Sequence, residues 1–117
     1  MSRHLAFWKY SDGIYLDNQK VYEMTCVEEK VTAGLSILPI DDILNKINEV
    51  FNDYNKLDEY NYESSKGSFT IITTKQSILF DCSWNMLDTE LNKIIDIMLE
   101  YDCPFYDPQI KTRFDGR

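Results

Sequence analysis

Glycine, proline, cysteine and histidine are all scarce in this chain, with four, three, three and one copies among 117 residues. The glycines stand far apart, at 13, 34, 67 and 116, so no loop cradles a phosphate and the P-loop pattern is missing. The cysteines, Cys26, Cys82 and Cys103, are odd in number and share no metal-ligand spacing. Paired Cys-x-x-Cys, His-Glu-x-x-His and the Asp-x-Asp run of a calcium loop are absent too. No cofactor, metal or nucleotide is therefore expected, and the familiar hydrolase motifs are excluded. No apolar run approaches the roughly 20 residues of a membrane helix. The opening residues, Met1 to Tyr10, have neither an apolar core nor a small-residue cleavage site, so they do not read as a signal peptide. Together these features predict a cytoplasmic protein with reduced thiols.

Positive charge is also short. Twelve bases face twenty acids, a formal charge of −8. A broad acidic surface repels phosphates, which argues against nucleic acid or an anionic membrane as a direct partner. It favours a basic partner, or serves solubility alone.

What the chain does have is apolar and aromatic residues, 44% and 14% of the total. This is enough to form one core in a single domain spanning residues 1–117. The stretch Ser68–Cys82 holds the densest β-formers: Phe69, Thr70, Ile71, Ile72, Thr73 and Thr74, then Ile78, Leu79 and Phe80. The polar break Lys75-Gln76-Ser77 divides it into two runs of strand length and predicts a hairpin. Upstream, His4–Tyr10 reads as a strand, Ser11-Asp12-Gly13 as a turn and Ile14–Leu16 as a short return strand. Lys20–Cys26 and Val31–Leu38 read as further strands, although the composition of 20–38 also admits a short helix. Tyr60–Glu63 is another strand.

Two helices stand out. After Pro39, Ile40, Ile43, Leu44, Ile47, Val50, Phe51 and Tyr54 recur at three- and four-residue intervals, with Asp41 or Asp42 at the positive helix end. The second starts at Asp88 and runs to about Tyr101, burying Leu91, Ile94, Ile95 and Met98. Residues 103–117 form an irregular tail, anchored on the body by Phe105, Tyr106, Ile110 and Phe114. The expected fold class is α+β, an antiparallel sheet of about five to six strands with two amphipathic helices on one face. The second sheet face must then be solvated, covered by the tail, or used for binding.

Charge is unevenly distributed. Residues 41–63 hold seven acids against two bases, and residues 81–107 seven against Lys93. Tyrosines interleave with acids between Tyr54 and Glu63, and tyrosine is over-represented at binding hot spots. Asp53, Asp58, Glu59, Tyr60, Tyr62 and Glu63 are the candidate partner-binding residues. The plainer alternative is that the tyrosines pack on a strand while the acids solvate its edges. No catalytic residue is assigned. His4 has no companion in sequence that would make it a base, and pairing it with Cys82 is arbitrary, a buried structural thiol being the expectation there.

Two stretches carry a resemblance. One is Gly34-Leu35-Ser36-Ile37-Leu38-Pro39-Ile40-Asp41-Asp42-Ile43-Leu44, leading into Ile47 and Phe51. The other is Asp96-Ile97-Met98-Leu99-Glu100-Tyr101-Asp102-Cys103-Pro104-Phe105-Tyr106-Asp107-Pro108-Gln109, ending in Arg113-Phe114-Asp115. They resemble small bacterial immunity proteins of contact-dependent growth inhibition and related polymorphic toxin systems. The resemblance implies a protein that neutralises a cognate toxin domain by tight binding and has no catalytic residues of its own. Acidity suits a nuclease toxin, whose substrate groove is basic. The alternatives are an acidic adaptor or regulatory module, and a small enzyme using His4 or a carboxylate pair. The oligomeric state is not legible.

Overall fold

The structure, a computed structural model, describes residues 2–114. Residues 115–117, the end of the expected tail, lie outside the described residues. The chain opens with β1 (Ser2–Trp8), then a loop to a short helix, α1 (Asn18–Val21), which continues as a π-helical turn, Tyr22–Val27. After an extended passage come α2 (Ile40–Val50), the two-residue strand β2 (Asn55–Lys56), β3 (Asn61–Ser64), β4 (Gly67–Thr73) and β5 (Ser77–Ser83). Next is α3 (Asp88–Glu100), followed by β6 (Phe105–Asp107) and β7 (Thr112–Phe114). Every strand pairing is antiparallel, in one sheet of order β2-β3-β4-β5-β1-β6-β7. This is the α+β architecture that the sequence predicts, with seven strands where about five to six were expected and a short third helix besides the two.

The predicted central hairpin forms β4 and β5, with Ile71 opposite Phe80 and Phe69 opposite Cys82. Strand alternation sends these residues, with Leu5 and Phe7 of β1, to the side where α2 and α3 lie. There they meet Ile43, Ile47, Leu91, Ile94 and Met98 in the main core. Gly67 begins β4 at φ +133°, a conformation that L side chains rarely adopt, and a Cβ there would stand 2.7 Å from Met86 Cα. Only glycine fits.

The opposite sheet face carries a second, smaller core: Ala6, Trp8, Leu79 and Tyr106 under Val21, Tyr22, Cys26 and Leu35. Here the structure corrects the sequence reading. Ile14–Leu16 is not a strand. Lys20–Cys26 is helical, with Asp17 capping it by accepting from the amides of Gln19 and Lys20. Val31–Leu38 is irregular, with a turn at Ala33-Gly34 and one bridge, from Leu35 to Tyr10. Its backbone is held by Gln76, which accepts from Thr32 N–H and donates to the carbonyls of Thr32 and Leu35. The second face is therefore covered over β1 and β5 by residues 18–38, while Ile72 at its margin is exposed.

Over its described residues the tail is not irregular. Phe105–Asp107 and Thr112–Phe114 pair as a hairpin on the outer side of β1, turned at Asp107, whose carboxylate accepts from Gln109 N–H. Arg113 clamps it, donating to Trp8 O at 2.8 Å with its guanidinium 4.6 Å from the Tyr10 ring centroid.

Candidate functional site

The helix α2 starts after Pro39 and runs with Ile43 and Ile47 inward. That orientation turns Asp41, Leu44, Asn45 and Asn48 toward the loop joining β2 to β3. Lys56, Glu59 and Tyr60 close the other side, leaving a groove of about 360 Å³. The loop has a defined shape because Asp58 is folded into it. One carboxylate oxygen accepts from the backbone N–H groups of Tyr60 (2.8 Å) and Asn61 (3.0 Å), and both oxygens accept from the Asn61 amide. Those bonds, the Tyr60 N–H foremost, hold the Asp58 carboxyl below its ordinary range.

The six candidate residues do not form one surface. Glu59 and Tyr60 line the groove, and Tyr60 is 39% exposed. Tyr62 is 2% exposed and stacks on Phe69 at 5.0 Å, so it belongs to the core and offers a partner no ring. Tyr60 sits in the bend before β3 and Tyr62 within the strand, and of the two only Tyr62 falls within the aromatic cluster of Phe51, Tyr54 and Phe69. Glu63 faces the other way, into a shallow depression with Asn55, Ser68 and Asn85. Asp53 is tied to Lys66 at 2.8 Å, and that bond holds its carboxyl low. Asp58 is a loop brace. The sequence reading passed over Asp41, Leu44, Asn45 and Asn48. Their spacing on the flank of the apolar stripe was the available signal.

The groove can engage cations. Asp41 and Glu59 supply carboxylates, Asn45 and Asn48 supply amides, and Tyr60 presents a ring on which a guanidinium can stack. Lys56 moderates the charge, with its ammonium 5.8 Å from the Tyr62 ring centroid.

His4 lies on the second sheet face, with Nδ1 3.1 Å from the Tyr22 hydroxyl and Nε2 3.6 Å from Asp81. Nδ1 is within hydrogen-bond distance of the tyrosine, while the approach of Nε2 to Asp81 is longer than a hydrogen bond and both side chains are part-exposed. Cys82 points to the opposite side of the sheet, in the main core, so the two do not meet. All three thiols are buried, and desolvation pushes them up, Cys26 to about 11 and Cys82 and Cys103 to about 12. They are structural. No group of three or more metal-ligating side chains occurs among the described residues, and no helix among them is long and apolar enough to cross a membrane.

No protein-family profile matches the chain, and no curated protein does.

Proposed function

We propose that this chain is a protein inhibitor of the immunity type, which binds a basic toxin domain, in particular a nuclease, and blocks it without chemistry of its own. The observation that carries the reading is the groove between α2 and the β2–β3 loop. It is acid-bearing, holds one exposed tyrosine, and is built on a helix and a loop braced by Asp58. Rigid walls lower the entropic cost of binding, and carboxylates at the rim speed encounter with a basic surface. The chain's charge of −8 favours association with a basic partner. The stretches 34–44 and 96–109, which resemble immunity proteins, lead into α2 and out of α3.

The test is co-expression with the toxin domain encoded immediately upstream. Protection of the cells, and co-purification of the two proteins, are the expected results. Absence of a toxin gene there, or toxicity undiminished by this protein, removes the reading in favour of an adaptor with another basic partner.

A further inference from the structure

A second groove lies near the opposite edge of the sheet, and it differs in chemistry from the first. It runs along α3, between that helix and the strands β1, β6 and β7. Its two parts, about 270 and 230 Å³, share Ile95 and Phe105 and so are continuous. The second part is lined by Ile95, Leu99, Phe105 and Phe114 alone, while the first sets Arg3, Asp88 and Asn92 around Leu5 and Leu91, which are themselves buried. At a rise of about 1.5 Å per residue, the helix bank from Asp88 to Leu99 is about 16 Å long, some three helical turns. Three strands at about 4.8 Å spacing are wide enough to seat one more helix, itself about 10 Å across, in the layer that α2 and α3 occupy.

The rim identifies the occupant. Asp88, Asn92, Asp96 and Glu100 recur every four residues on α3 and form one line beside the apolar row of Leu91, Ile95 and Leu99. Asp88 is matched by Arg3 at 3.8 Å, beside one end of the groove. Asp96 and Glu100 make no ion pair among the described residues. An apolar floor beside an acidic rim is complementary to a helix with an apolar stripe and a cationic flank. We propose that the α3 groove is a docking site for an amphipathic helix of a partner protein, with leucine-like anchors on one face and Lys or Arg along its edge. This surface does not depend on the toxin reading, and it is separated from the Tyr60 groove by the width of the sheet.

The probe is a lactam-stapled helical peptide of about 15 residues, with leucines at i, i+3, i+4 and i+7 and flanking lysines. A glutamate-flanked analogue and a scrambled peptide of the same composition serve as controls. Binding is read by fluorescence anisotropy, and the site by methyl chemical shifts. The lysine peptide is expected to perturb Leu91, Ile95 and Leu99, while both controls bind at least about tenfold more weakly. Ile95→Glu should weaken the peptide about tenfold or more, and the milder Ile95→Ala serves if the charge perturbs folding. Asp96→Lys with Glu100→Lys should flatten the salt dependence, and Tyr60→Ala should change nothing. The proposal is overturned if no peptide binds, if the scrambled peptide binds equally well, or if shifts cluster at Tyr60. A dimer in sedimentation that Ile95→Glu dissociates would overturn it too, by making a second copy the occupant.

Discussion

Tyr54→Phe is a sharp test of how α2 and α3 are joined. Tyr54 follows α2 and lies in the main core, where its hydroxyl donates to Glu90 Oε1 at 3.0 Å. Glu90 stands in the first turn of α3, is 3% exposed, and also accepts from Lys93 at 3.1 Å. Burial alone would raise this carboxyl, but the bonds from Lys93 and Tyr54 prevail and hold it below its ordinary value. Removing the hydroxyl leaves a buried carboxylate one donor short, which costs about 2 kcal/mol for a bond to a charged group. An unfolding entropy of about 2.1 cal/mol/K per residue over 117 residues turns that into a fall in Tm of about 8 °C. A carboxyl held low when folded contributes stability that is present above its unfolded value, about 4.3, and is lost as pH falls through the folded value. The deficit of the variant should therefore be full at pH 7 and shrink below about pH 4. Urea unfolding monitored by tryptophan fluorescence, with m unchanged, measures it. A deficit under about 0.5 kcal/mol at pH 7, or one that persists unchanged at pH 3, refutes the brace.

Other perturbations separate core from surface. Gln76→Ala strands the buried backbone groups of Thr32 and Leu35, and should cost about 3 kcal/mol while raising hydrogen exchange at Thr32. Tyr62→Ala empties a core position and should cost about 3–5 kcal/mol, whereas Tyr60→Ala should change stability by less than about 0.5 kcal/mol. Equal losses for the two would mean that Tyr60 is not the exposed residue of the pair. The thiols of Cys26, Cys82 and Cys103 should react with a disulfide reagent only at the rate of unfolding, and a fast phase in native buffer would contradict their burial.

The long periodic segments were legible because their pattern is redundant. α2 and α3 each repeat an apolar stripe over three turns, and the β4–β5 hairpin packs nine β-formers around one polar break. The 14–38 region misled for the opposite reason. Its buried residues, Val21, Tyr22, Thr25 and Cys26, stand at i, i+1, i+4 and i+5, a helical pattern capped by Asp17, but it spans only ten residues. Met24, between them, is 40% exposed, as the helical pattern requires. In the tail, Asp107-Pro108 was a turn signal overlooked because strands of three residues carry no periodicity. At the site, Tyr60 and Tyr62 look alike in sequence, and packing over the sheet alone distinguishes them. Depth is tertiary information. The α3 groove was hidden for the same reason, since Phe105 and Phe114 join Ile95 only once the terminal hairpin has formed.

The central claim is inhibition by binding, and a stoichiometric titration tests it most directly. If the gene upstream encodes a nuclease domain, as the proposed function requires, that domain is assayed for cleavage of labelled nucleic acid while this protein is added in steps, at low and at moderate salt. Cleavage falling to zero at one equivalent, with association slowed by salt and by Asp41→Lys with Glu59→Lys, is the predicted result. Cleavage that continues unchanged at a molar excess of this protein contradicts it.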